Sequence, residues 1–263
     1  MAARTVDDVD EQDATETERL IATALAGALA STDPATPSPM SLTAAPWPGL
    51  VQDAIGLALK AYLVRTAFRF LTRSGVTGAP AARVVDEIVP AVHDEMVTQI
   101  ADGLAGTYQA AGERLAPGAA VVKPKPQHEL TADIYRRVRV GSARLAQTGT
   151  TRAREMVRSQ LAEGLGAEGG TWRTRKDDRV RLTHGALEGE TRPLGEPFVT
   201  VDGSEILYPG DPAAPIGETA NCRCRLAYLV PTTVRTFQRG ESVIELTSPE
   251  VGPVIRSERT VPV

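Results

Sequence analysis

The sequence predicts an α+β protein: a predominantly helical N-terminal part, followed by a small C-terminal α+β module containing a β-hairpin. Three observations lead to this expectation. Apolar and small residues recur at helical spacing through the first part of the chain. Aromatic residues are only 4% of the composition, so a core has to be built mainly from Ala, Val and Leu, which suits closely packed helices better than a sandwich or barrel. Beyond Gly170 the pattern changes to short β-type runs separated by Gly, Pro and Asp. With 263 residues and 42% hydrophobic content, the chain is long enough for one large or two ordinary domains.

Residues 1–46 read as an acidic, proline-rich and largely disordered tail, opening with Asp7, Asp8, Asp10, Glu11, Asp13, Glu16 and Glu18 against Arg4 and Arg19. Within it, residues 16–30 can form a short helix ahead of a proline-rich linker over residues 31–39. Residues 47–116 read as a helical domain. Its first stripe runs through Leu50, Val51, Ala54, Ile55, Ala58, Leu59, Tyr62, Leu63, Ala67, Phe70 and Leu71, and ends at Gly75 and Gly78-Ala-Pro80. A second follows through Val85, Ile88, Val89, Val92, Met96, Val97, Ile100 and Leu104. Pro90 must start a new helix or kink this one, because it has no N–H to donate.

Residues 117–130 read as a linker and the domain boundary, since Pro117, Gly118, Pro124 and Pro126 crowd this region. Residues 131–230 form the α+β module. Thr131 caps a helix carrying Ile134, Tyr135, Val138, Leu145, Met156, Val157 and Leu161, in which Gly141 and Gly149 offer a break. Strands are expected over residues 198–201 and 205–208 around an Asp202-Gly203 turn, and again over 225–230. Residues 231–263 read as a C-terminal tail with strand-like pieces at 242–246 and 251–255 that have no assigned place.

The net charge of -4 does not mark the whole chain as a nucleic-acid binder. Residues 131–181 nevertheless hold twelve Arg and Lys against six Asp and Glu. Arg136, Arg137, Arg139, Arg144, Arg152, Arg154 and Arg158 are candidates for phosphate contacts that would be salt-sensitive and blind to sequence. They would serve equally well to solvate the outer face of a helix. Few aromatics accompany them, so base stacking has no support. No segment reads as a signal peptide or a membrane span, and no membrane partner is expected. The two cysteines lie one residue apart, which excludes a disulfide framework and fits synthesis in a reducing cytosol.

Chemistry-bearing residues concentrate in the module. His184, Cys222 and Cys224 are three soft or borderline ligands, brought together if the chain doubles back at the hairpin and at Pro209-Gly210-Asp211-Pro212. A tetrahedral zinc site would need a fourth ligand, with Glu218, Asp178 and Asp211 as candidates. Zinc would staple a unit short of aromatics; the alternative is a pair of buried thiols beside a hydrogen-bonded imidazole. Asp178, Arg179 and Arg181, with His184, Asp211 and Asn221, are expected to form a polar network that orders the loops, the alternative being a solvated charged loop. Trp172 reads as a core anchor, and Asn221 suits a turn or left-handed position. A metal-dependent hydrolase or nuclease using His184, Cys222 and Cys224 is the enzymatic alternative. No base is evident to activate either thiol, and His93 and His128 lie upstream, so no residue is assigned as catalytic and the chain is expected not to be an enzyme.

Residues 135–228 resemble the phage Mu F-like head morphogenesis family, the minor head proteins of tailed bacteriophages. The resemblance rests on Ala146-Gln147-Thr148, Trp172, the Asp178, Arg179, Arg181 and His184 cluster, Tyr208-Pro209-Gly210-Asp211-Pro212, and Asn221-Cys222-Arg223-Cys224. Gly149 stands where the family pattern places an acidic residue. The resemblance implies a minor capsid protein in the virion interior, made in the host cytoplasm and associated with the portal and with capsid or scaffold proteins. It also implies a part in head assembly and non-specific contact with phage DNA.

Overall fold

The computed structural model describes residues 6–30, 47–113 and 127–246. Among these, four long helices come first: α1 (Val6–Ala30), α2 (Trp47–Arg73), α3 (Gly78–Glu113) and α4 (Gln127–Gly164). In α2 every fourth residue from Val51 through Ile55, Leu59, Leu63 and Ala67 to Leu71 is buried, giving one continuous ridge to pack against its neighbours. The helix ends at a left-handed Gly75, where Val76 N–H reaches the Leu71 carbonyl and Gly75 N–H that of Thr72, the paired bonds of a Schellman cap. The same cap closes α4: Gly166 is left-handed, Ala167 N–H bonds Ala162 and Gly166 N–H bonds Glu163.

After that cap the chain forms small elements: β1 (Gly169–Arg173), α5 (Leu182–Gly185), β2 (Thr191–Pro193), β3 (Phe198–Val199), β4 (Glu205–Ile206), α6 (Ile216–Thr219), β5 (Arg225–Tyr228), β6 (Thr236–Arg239) and β7 (Ser242–Glu245). β1 is the centre of an antiparallel sheet ordered β2-β1-β5, with Thr171 opposite Ala227 on one side and Thr191 on the other. β3–β4 and β6–β7 are separate hairpins. The mixed α+β class expected from the sequence therefore describes the chain.

Several expectations need correction. The expected helix over residues 16–30 is present but begins earlier, at Val6, within the supposed disordered tail. Its Thr17, Ile21 and Leu25 repeat at helical spacing and are almost fully buried. Asp13 in its first half accepts from both Arg65 and Arg69 of α2, at 2.8 Å each. The linker over residues 31–39 lies outside the described residues. Pro90 does not start a new helix but stays inside α3, on its exposed face, where the carbonyl it leaves unpaired can meet water. Gly141 and Gly149 likewise stay inside α4, which begins at Gln127, within the expected 117–130 linker. Residues 117–126 lie outside the described residues.

Because α4 packs on α1, α2 and α3, its residues belong to the helical bundle. Among the described residues, the boundary between bundle and small elements therefore falls at the α4 cap. The expected strands at 198–201 and 205–208 shrink to β3 and β4, since Thr200 turns early: its hydroxyl accepts from Ser204 N–H at 3.1 Å. The C-terminal piece at 242–246 finds its place as β7, whose hairpin returns Phe237 and Ile244 to the bundle core. Residues 251–255 lie outside the described residues.

Candidate metal centre

A second apolar cluster beside the bundle core contains Trp172, Leu187, Phe198, Ile206, Cys222, Cys224 and Leu226. His184 enters it from α5, and the cysteines enter from the segment between α6 and β5. A tight turn delivers that segment: Cys222 N–H bonds the Thr219 carbonyl at 3.1 Å and Asn221 takes a left-handed φ of 56°. The Trp172 ring meets the His184 ring edge-on at 5.2 Å and holds its plane.

His184 is 2% exposed, Cys222 2% and Cys224 4%. Nδ1 of His184 lies 3.5 Å from the Cys222 sulfur and 3.7 Å from the Cys224 sulfur. With zinc–sulfur bonds of ~2.3 Å and a zinc–nitrogen bond of ~2.0 Å, adjacent ligands of a tetrahedral ion are about 3.5 Å apart. The three donor atoms, all within 4.8 Å of one another, thus form a buried group that can hold a metal ion. The Cys222 thiol is held well below its ordinary value, by a hydrogen bond from Cys224 and by the imidazole, against the effect of burial. The Cys224 thiol is pushed up by Cys222 and by burial, because a second negative charge beside the first is disfavoured.

Glu218, expected as the fourth ligand, lies on the other side of the ring. Its Oε2 is 2.9 Å from His184 Nε2, off the line of an N–H bond, and accepts the Thr183 hydroxyl at 3.0 Å. Asp178 and Asp211 are not part of the donor group either. Asp178 is exposed, while Asp211 is buried and accepts the backbone N–H groups of Leu207 and Ala213, which shapes the Pro-Gly-Asp-Pro turn.

The expected polar network is only partly the observed one. Arg179 is exposed and contributes its backbone N–H, which Asp177 accepts at 3.1 Å. Asp177 rather than Asp178 pairs with a guanidinium, that of Arg223 at 2.8 Å. A left-handed Lys176, φ 56°, immediately precedes Asp177. Desolvation would raise the Asp177 carboxyl, but the Arg223 and Arg179 hydrogen bonds hold it below the usual range. Arg181 donates to the carbonyls of Glu218 and Ala220, fixing the C-terminal end of α6. Asn221 N–H donates to the Thr148 hydroxyl at 3.0 Å.

α4 holds this cluster from behind. Thr151, Arg154 and Arg158 donate to the carbonyls of Cys222, Cys224 and Leu226, each at 2.7 Å. Seven residues of helix rise about 10 Å and four of extended chain about 13 Å. A short threonine at one end and long arginines farther along absorb that difference. Glu155, fully buried, bonds Arg154 at 2.8 Å and Arg158 at 3.0 Å and accepts the Leu226 N–H at 3.2 Å. Burial opposes the charge on Arg154, yet Glu155 outweighs it and the guanidinium is held above its ordinary value.

Three of the arginines expected on DNA are therefore engaged within the protein. Arg154 and Arg158 serve the ladder to β5, and Arg152 donates to the Gly210 carbonyl at 2.7 Å and to Gln99 at 2.8 Å. Arg136 and Arg144 are exposed; Arg137 and Arg139 lie on α4 with side chains outside the described set. His93, buried on α3, contacts the Gly56 carbonyl at 3.0 Å and belongs to helix packing.

Sequence reasoning passed over Glu155, Asp177 and Thr151, and gave Thr148 and Arg223 no role beyond the resemblance. Glu155 had a signal, as an acid set among Arg152, Arg154 and Arg158. At Gly149, where the resemblance places an acid, a Cβ would lie 3.3 Å from Ile100, on a wall of the bundle core unsuited to a carboxylate. Comparison with protein families, curated proteins and solved structures finds no match.

Proposed function

We propose that the chain is a minor head protein of a tailed bacteriophage or prophage, acting in procapsid assembly at the portal. One observation supports this reading most. Of the residues that carry the resemblance, Trp172, His184, Asn221, Cys222 and Cys224 are distant in sequence yet adjoin one clasp built on α4. A helical part with an attached Mu F-like α+β module is arranged for holding shape and making contacts.

In this reading His184, Cys222 and Cys224 hold a zinc ion, the metal that suits two thiolates and an imidazole. Bound there, zinc supplies a cross-link between α5 and the segment leading into β5, and its binding energy adds to folding. The helices make the portal, capsid or scaffold contacts inside the virion. Arg136, Arg137, Arg139 and Arg144 touch phage DNA without reading its sequence. No helix among the described residues is long and apolar enough to cross a membrane. Procapsids made without this protein should package or deliver DNA poorly, and the protein should co-purify with portal; normal packaging and delivery would sink the reading.

One observation favours a metal-dependent hydrolase or nuclease: three protein donors leave a tetrahedral ion one position short. Against it, all three donors are buried, and the 240 Å³ cleft lined by Glu163, Phe198, Tyr208 and Tyr228 touches none of them. Nuclease and hydrolase assays on the metal-loaded protein and on His184→Ala decide between the two.

A further inference from the structure

We infer that Glu218 is the positioning residue of the metal centre: from outside the ligand set it fixes His184 in the tautomer whose Nδ1 lone pair faces the two sulfurs. The inference rests on the zinc reading above and assigns Glu218 a role different from the ligand expected from sequence.

A neutral imidazole carries one N–H, and the nitrogen that binds a metal must be the other one. Nδ1 is the nitrogen facing Cys222 and Cys224, at 3.5 and 3.7 Å. On the far side the Glu218 carboxylate stands 2.9 Å from Nε2. A negative charge at that distance favours the proton on Nε2, which leaves Nδ1 free to donate its lone pair. Through its charge the same carboxylate makes the imidazole a stronger donor, although it stands off the line of the N–H bond.

Glu218 is also held in place to do this. Its side chain is 10% exposed, the Thr183 hydroxyl donates to the oxygen that faces the ring, and Arg181 grips the carbonyls of Glu218 and Ala220. Direct ligation would require the carboxylate to leave both Nε2 and Thr183 and pass to the other face of the imidazole. The protein donor set is then two sulfurs and one nitrogen, and the remaining position falls to a non-protein ligand such as water.

The test uses the full chain loaded with zinc or cobalt. Zinc affinity is read by competition with a chromophoric chelator, cobalt absorption reports the thiolate ligands, and nitrogen-15 spectra of histidine report which ring nitrogen carries the proton. Wild type should bind one equivalent with two-thiolate charge transfer and the proton of His184 on Nε2. Glu218→Ala should bind about 10–100-fold more weakly, with the cobalt spectrum unchanged and the tautomer mixed. Glu218→Gln, which keeps the size of the side chain but removes its charge, should fall between and answers the question if the alanine variant fails to fold. Unchanged affinity and tautomer in both variants, or a cobalt spectrum showing a lost oxygen ligand, would overturn the role of Glu218 while leaving the zinc reading intact. A wild-type chain that binds no zinc or cobalt overturns both.

Discussion

Arg154 donates to the carbonyl oxygen of Cys224 at 2.7 Å, a contact between residues 70 apart in the chain that fastens a cysteine of the candidate metal centre to the helical bundle. The guanidinium is 13% exposed and is neutralised by Glu155, itself fully buried. The bundle and the metal centre thus share one charged network, and their stabilities should rise and fall together.

The first prediction concerns Glu155. Glu155→Ala strands two largely buried guanidinium groups and removes the acceptor of the Leu226 N–H. A loss of about 3–5 kcal/mol is expected, measured by denaturant unfolding. A loss below about 1 kcal/mol would mean that water replaces the carboxylate at little cost.

Gly164 decides the second. Alanine is favoured over glycine in helices by ~1 kcal/mol, so Gly164→Ala on an open face would stabilise. Here the added Cβ would fall 2.2 Å from the Phe237 ring, which is completely buried under the β6–β7 hairpin. Overpacking of ~1–3 kcal/mol should win, and the melting temperature should drop. Gly164→Ala combined with Phe237→Leu should recover part of it; a single variant more stable than wild type would show that the hairpin yields freely.

Metal removal gives a third. A ligand that binds only the folded chain stabilises it by about 4 kcal/mol at a thousandfold excess over its dissociation constant. Stripping the protein with a strong chelator should lower its melting temperature, and zinc, but not magnesium, should restore it. His184→Ala should be indifferent to both treatments. Identical melting curves with and without chelator argue against the clasp.

A fourth follows from Tyr208. Burial, and then the carboxylates of Asp211 and Glu95, push its hydroxyl up to about 12 from 10.0. The folded state thus favours the protonated phenol. Its stabilising contribution is fully present below pH 10 and is lost as pH rises toward 12, since the unfolded chain ionises first. Unfolding measured across that window should show a decline of ~1–2 kcal/mol that Tyr208→Phe reduces. A decline identical in the variant assigns the effect to other groups, Tyr228 among them, since burial pushes its hydroxyl up as well.

DNA binding provides the fifth. If α4 contacts phosphates, Arg136→Ala and Arg144→Ala should weaken binding to any duplex alike and lower the salt slope by about one each. Both residues are exposed, so folding should be unaffected. No salt-dependent retention of the wild type on DNA removes that part of the proposal.

The α2 ridge and the gathering of His184 with Cys222 and Cys224 were legible in the sequence, because helical periodicity and scarce ligand residues are local signals. The 16–30 part of α1 was legible, but the acidic composition ahead of it hid that the helix begins at Val6. Whether Glu218 would meet the metal or the far nitrogen depends on how the His184 ring is turned, and Trp172 sets that from another strand. Asp177 rather than Asp178 pairs with Arg223, a partner 46 residues away that no local pattern marks. The arginines of α4 read as a solvent or DNA face because nothing local reveals that a strand lies alongside them.

That strand is gripped by its main chain. Thr151, Arg154 and Arg158 recognise carbonyl oxygens, a feature every amino acid supplies, while their own identities set the reach. The two sides of the junction therefore differ in their tolerance of change. The ladder does not read the side chains of the segment it grips, whereas on α4 a side chain of different length puts the whole segment, cysteines included, out of step.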